Sequence, residues 1–191
     1  SFCVLPFLCR SPDGKSHLAE SYVRQIMPKN PDMTAQQLAR VIIETASQKN
    51  IVLVVAESCT GGMIAAELTN IEGSSAVLDR GLVTYSNNAK QDLLRVPSET
   101  LATYGAVSAE TASAMTLGAL FQTPAATLAA SVTGIAGPSG GSAEKPVGLV
   151  HFACQKRGLD PVLQQHLFTG SRDEIRKKSL LNMLKMIYTQ L

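Results

Sequence analysis

The chain has 191 residues, 45% of them hydrophobic and 17% charged, with no tryptophan. That length carries one full hydrophobic core but hardly two, and that composition belongs to a globular chain, not a disordered one. Lys and Arg outnumber Asp and Glu by only 17 to 15, so no global field directs the protein to nucleic acid or an anionic membrane. Anion recognition, where it occurs, must be local.

Residues 1–33 carry four prolines and a polar middle, "RSPDGKSHLAES", without a sustained period, and read as a loose extension. Their opening, "SFCVLPFLC", lacks a basic leader and is interrupted by Pro6, which makes a poor signal peptide. No apolar run approaches the ~20 residues that cross a bilayer. The four cysteines, Cys3, Cys9, Cys59 and Cys154, show neither CxxC pairing nor histidines at finger spacing. That argues against structural zinc and suits a reduced, cytoplasmic protein.

The functional domain is read over 34–191. Thr34 and Gln37 form a capping box, and Leu38, Val41, Ile42 and Ala46 recur at helical spacing, predicting a helix over 35–49. "IVLVVA" at 51–56 is a continuous apolar run suited to a strand buried on both faces. A helix follows at about 61–70, then a strand, "LDRGLVTY", ending at Tyr85. Ser86 caps a short helix through Leu94, and Ser108 begins another to about Phe121. Strands are read at 126–133, 148–154 and about 162–168. A last helix starts at the capping box of Ser171 and Glu174 and buries Ile175, Ser179, Met183, Met186 and Ile187. This alternation implies an α/β fold: a three-layer α/β/α sandwich around a largely parallel or mixed sheet, with ligands at loops beyond strand ends.

"VVAESCTGGM" is a strand that stops at small polar residues where a helix begins. Ser58 there is either a nucleophile or part of a well-capped helix start. Unpaired N–H groups at the helix mouth favour negative charge, and Gly61 and Gly62 let the main chain approach a ligand, as an oxyanion pocket needs. Cys59 competes as nucleophile, since the same dipole activates a thiolate, or it is simply buried. His17, His151 and His166 complete no Ser-His or Cys-His motif, so a base must come from elsewhere. Lys90 is the candidate: near the start of its helix the macrodipole disfavours an ammonium, where a surface lysine is poorly placed. Serving as a base near neutrality requires that ammonium to be destabilised by roughly 4 kcal/mol. The alternative is a solvated lysine in "NNAKQD". Tyr85 either passes a proton or orients substrate, or anchors the sheet.

A second polar loop, "SVTGIAGPSGGSAEKPVG", places Thr133 and Gly134 after an apolar strand and offers backbone N–H groups to a phosphate or carboxylate. Its glycine spacing, and Lys145 before proline, do not make a P-loop. Arg172, in the first turn of the last helix, either holds an anion there or pairs with Asp173, Glu174 or another acidic neighbour.

Together, "AESCTGG", "GSSAVLDRGLVTYSNNAK", "GAVSAETA", "VTGIAGPSGGSAEKPVGLVHFA" and "GSRDEIR" resemble the CinA C-terminal domain family, in the same order and over residues 35–190. The resemblance implies hydrolysis of the carboxamide of nicotinamide mononucleotide, a small-molecule nucleotide substrate, to nicotinate mononucleotide and ammonia. It implies a serine/lysine amidase without metal or cofactor, and association into homodimers or larger homo-oligomers. Carried over by motif, Ser58 is the nucleophile and Lys90 the base, with Tyr85 beside them. Cys59, Thr60, Gly61, Gly62, Thr133 and Gly134 surround the substrate, while Arg172 is assigned to its phosphate mainly from its place in the first turn of the last helix. The rival expectation is a non-catalytic nucleotide-binding or interaction module linked to competence and DNA damage.

Overall fold

The computed structural model describes residues 33–191. The extension read over 1–33, with Cys3, Cys9 and His17, lies outside the described residues save for Met33. Helix α1 (Ala35–Gln48) begins as the capping box requires: Thr34 Oγ1 accepts from the Gln37 amide at 3.2 Å, and Gln37 Oε1 accepts from the Thr34 amide at 2.9 Å. Strand β1 (Leu53–Glu57), α2 (Met63–Thr69), a 3-10 turn at Ser74–Ala76 and β2 (Leu78–Val83) follow. Next come α3 (Asn87–Leu94), α4 (Ser98–Tyr104), α5 (Ala109–Gln122), β3 (Leu128–Gly134), β4 (Leu149–Lys156), β5 (Val162–Leu167) and α6 (Arg172–Thr189).

The strands form one sheet in the order β2-β1-β3-β4-β5. β1 is parallel to both β2 and β3, while β4 runs antiparallel to β3 and β5, so the sheet is mixed. The cause is the connection after β3. A parallel return needs a crossover, and the glycine-rich 135–148 segment contains no helix to make one.

Period-two alternation along β1 builds the three layers. Leu53 and Val55 face a core shared with α1, α2 and α6, where Leu38, Ile64 and Met183 meet Phe152. Val54 and Ala56 face the opposite core, where Leu94, Leu101, Met115 and Ala119 descend from α3, α4 and α5. α5 lies so close to α3 that a Cβ on Gly118 would sit 1.8 Å from the Leu94 carbonyl oxygen. Only glycine permits that approach, and it fixes α3 against the sheet. After β1 the chain turns to α2 on one face, and after β2 it turns to α3 on the other. A divergence of this kind at neighbouring carboxyl ends opens a crevice.

The turn between β1 and α2 is organised by Glu57, the last residue of β1 and fully buried. Its Oε2 accepts from the Thr60 hydroxyl at 2.6 Å, the Gly62 amide at 2.9 Å and the Ile64 amide at 3.1 Å, and its Oε1 accepts from the Ala65 amide at 2.9 Å. Both oxygens meet donors, the arrangement that suits a carboxylate at the positive end of a helix. Gly62, at φ +97°, adopts the left-handed conformation that brings the chain back under this carboxylate. From the other side, Arg176 on α6 donates to the Cys59 carbonyl at 3.1 Å and the Thr60 carbonyl at 2.8 Å.

No described helix is long and apolar enough to cross a membrane. Glu57→Gln keeps the shape but places an NH2 against amide donors. It is expected to lower unfolding free energy by about 2 kcal/mol, measured as a shifted denaturant midpoint at unchanged slope.

Candidate active site

Glu57 points toward α2, so the next residue, Ser58, emerges on the opposite face, toward α3. The Ser58 amide donates to the Val132 carbonyl at 3.0 Å, which pins the turn to β3. α3 is started by Ser86, whose Oγ accepts from the Ala89 amide at 3.0 Å. One turn in, α3 delivers Lys90 inward, 1% exposed. Lys90 Nζ lies 3.0 Å from Ser58 Oγ and donates to the Thr84 carbonyl at 2.7 Å. Among the described residues no carboxylate pairs with it. Burial lowers the Lys90 pKa from 10.5 to about 8, so the amine loses its proton far more readily than a solvated lysine. The solvated alternative does not describe this side chain.

Cys59 is buried beside Ser58, and burial pushes its thiol up to about 12. It stays a thiol at neutral pH, so the helix dipole does not make a thiolate of it. His151 is buried, its pKa lowered by that burial, and its Nδ1 has no partner among the described residues; it does not line the cavity beside Ser58. His166 stacks on Phe168 with centroids 5.2 Å apart.

A cavity of about 250 Å³ opens where these elements meet, and Ser58, Cys59, Tyr85, Lys90, Thr133, Gly134 and Arg172 all line it. Tyr85 follows β2 instead of ending it, and is 61% exposed at the mouth. Arg172 spans that mouth: Nη2 donates to the Tyr85 hydroxyl at 2.9 Å and Nη1 to the Gly137 carbonyl at 2.7 Å. Its acidic neighbours are otherwise engaged, Asp173 with Lys177 at 2.6 Å and Glu174 with the Ser171 amide at 2.7 Å. The alternative reading, a pairing of Arg172 with Asp173 or Glu174, is therefore not what the structure contains. The Ser171 amide and hydroxyl hold the Glu174 carboxyl below the usual range.

Three residues expected around the substrate stand elsewhere. Thr60, Gly61 and Gly62 do not line the cavity. The Thr60 hydroxyl and the Gly62 amide serve Glu57, and the Gly61 amide donates to the Ser58 carbonyl at 3.1 Å. Among the described residues, neither the Cys59 amide nor the Thr60 amide donates a hydrogen bond to another residue, so both remain unpaired donors in the turn after Ser58, and of the two residues Cys59 lines the cavity.

Sequence reasoning overlooked Glu57 and Arg176. An acid at the last strand position, followed by small residues and a helix start, was a legible sign for the first. The second lies 117 residues from the carbonyl it grips and leaves no local trace. It also overlooked Ala106 and Val107, which form a wall of the cavity after α4. Among the described residues no group of three or more His, Cys, Asp or Glu is placed to hold a metal ion.

Comparison with known proteins places this geometry in a family. The model of the CinA C-terminal domain matches residues 35–191. Nicotinamide-nucleotide amidohydrolase PncC of Escherichia coli (strain K12) is 41% identical over 159 residues, covering 83% of this chain and 96% of that protein. A putative competence-damage inducible protein of Caldicellulosiruptor bescii is 46% identical over 154 residues, 78% of this chain but 37% of its own length. Among solved structures, the competence/damage inducible protein CihA of Agrobacterium tumefaciens superposes with a TM-score of 0.78 at 48% identity, over 81% of this chain and 96% of its own. The match runs through every element that builds the cavity, and the chain belongs to the CinA C-terminal domain family.

Proposed function

We propose that this chain hydrolyses the carboxamide of nicotinamide mononucleotide, giving nicotinate mononucleotide and ammonia through an acyl-enzyme on Ser58. The name of the relative PncC supports the substrate, and its match extends over nearly the whole of that protein. The observation that carries the mechanism is the 3.0 Å contact between the Ser58 hydroxyl and an amine buried without a carboxylate partner among the described residues.

In the neutral form Lys90 accepts the Ser58 proton while still donating to the Thr84 carbonyl. The Ser58 oxygen attacks the carboxamide carbon, and the Cys59 amide stabilises the oxyanion. Lys90, now an ammonium, returns that proton to the departing nitrogen as the C–N bond breaks, releasing ammonia and leaving an ester. Water then attacks the ester carbon, giving one proton to Lys90, which restores it to Ser58 as the acid leaves; the acid releases its remaining proton to solvent. Arg172 and the Tyr85 hydroxyl at the mouth meet the phosphate, and the planar guanidinium suits that anion.

Ser58→Ala and Lys90→Met are each expected to lower ammonia release from nicotinamide mononucleotide by about 10³-fold or more, while Cys59→Ala stays within about 10-fold. Near wild-type release by either of the first two variants sinks the dyad. Because the neutral amine is the working form, kcat/KM should rise with pH and level off above about 8, the value to which burial brings Lys90. A profile flat between pH 6.5 and 9 contradicts the assignment.

The same burial has a stability signature. The folded-state pKa of about 8 lies below the unfolded 10.5, so between those values the unfolded chain binds more protons and stability rises with pH. The burden of the buried amine is full below about pH 8 and amounts to about 3 kcal/mol. Relative to Lys90→Met, wild type should gain up to that amount between pH 7.5 and 10.5, read from denaturant midpoints of the two proteins.

A further inference from the structure

We propose that Thr133 reads the NH2 group of the carboxamide, and is thereby the residue that favours the amide over the carboxylate product. The inference rests on the amidase reading and adds a role that the dyad does not supply.

Position comes first. Glu57 pairs with Val132 across the β1–β3 ladder, and the next residue on each strand, Ser58 and Thr133, continues side by side at the carboxyl end. Alternation sends both side chains to the α3–α5 face, and both line the cavity. Thr133 is 1% exposed, so solvent is not a general partner for its hydroxyl.

Polarity comes second. A threonine hydroxyl has one proton and two lone pairs. The Thr133 proton is committed: Oγ1 donates to the Ala106 carbonyl at 2.7 Å. Ala106 itself is held in place, since the Ser108 and Thr111 hydroxyls both donate to the adjoining Gly105 carbonyl, at 3.1 and 2.7 Å. Toward the cavity, Thr133 therefore presents lone pairs only. It accepts a hydrogen bond and has no proton left to give.

A primary carboxamide offers two N–H donors on one side and a carbonyl oxygen on the other. With its oxygen toward the Cys59 amide, the NH2 group meets Thr133, and one N–H donates to Oγ1. The second N–H and the nitrogen lone pair that develops on attack stay clear of Thr133, so Lys90 can protonate the nitrogen as it leaves. After hydrolysis an oxygen with no proton occupies that place. Two acceptors then face each other, which disfavours retention of the acid.

The test uses titration calorimetry on the full chain carrying Ser58→Ala, so that turnover does not intervene. The probes are nicotinamide mononucleotide, nicotinate mononucleotide, and the methyl-ketone analogue in which CH3 replaces NH2. With Thr133 present the amide should bind about 3- to 10-fold more tightly than the ketone, the contribution of one hydrogen bond. Thr133→Val should equalise amide and ketone and reduce the amide-over-acid ratio by a similar factor, while Thr133→Ser preserves both ratios. Equal affinity for amide and ketone with Thr133 in place overturns the assignment, and this arm needs no variant at 133 to fold. A Thr133→Val protein that keeps the amide-over-ketone ratio overturns it as well. Ammonia release by the protein with Ser58 intact separates the two levels. Release with unmoved ratios removes the Thr133 role alone, and no release removes the amidase reading together with it.

Discussion

A buried carboxylate holds the centre of this molecule. Glu57 gathers a hydroxyl and three amides that would otherwise be left without partners at the mouth of α2, and so decides the path of the chain immediately after β1. Charge-assisted hydrogen bonds of this kind are the strong ones, and here they are satisfied on both oxygens. The same side chain separates two tasks that share one turn. Amides on the α2 side are consumed in structure, while the serine on the other side is left with its hydroxyl free to meet α3. Arg176 completes the clamp by taking the carbonyls of Cys59 and Thr60.

Against that rigid turn, Lys90 is the element under tension. It is among the largest fully buried side chains, yet it carries an amine whose contacts are one carbonyl and one hydroxyl. A leucine or methionine there would suit the core better. In the proposed mechanism an amine in such a place trades local stability for reactivity. The close contact of Gly118 with the Leu94 carbonyl shows how the fold tolerates it: α3 is too short to hold its position alone, and α5 presses it home.

Much of this was legible in the chain. Capping boxes at Thr34 and Ser171, the buried run before Ser58 and the strand-helix alternation located the elements, because each rests on local hydrogen bonding or period. Helix α4 escaped notice because it is short, follows Pro97 and buries only Leu101. Of the two arrangements expected, largely parallel or mixed, the sheet is mixed, because the helix-free glycine-rich loop returns its strand antiparallel. Gly61 and Gly62 have a local use that the sequence did not suggest: Gly62 brings the chain under Glu57, and neither residue lines the cavity. The gathering of Ser58, Lys90, Tyr85, Thr133 and Arg172 around one cavity depends on strand order, which no local pattern encodes.

That strand order has a mechanical corollary. β2 sits at the margin of the sheet and is laced to β1 alone, with one irregularity in the ladder between Leu53 and Val54. Lys90 hangs from the helix that follows β2, and Ser58 from the end of β1. That row of hydrogen bonds, together with the seat that α5 gives α3 at Gly118, sets their separation. A slip of a single residue along it would carry α3 by about 3.3 Å and turn the outward side of β2 inward. The irregularity passes over Asp79, and from there the ladder runs in unbroken register from Val54 opposite Arg80 to Glu57 opposite Val83.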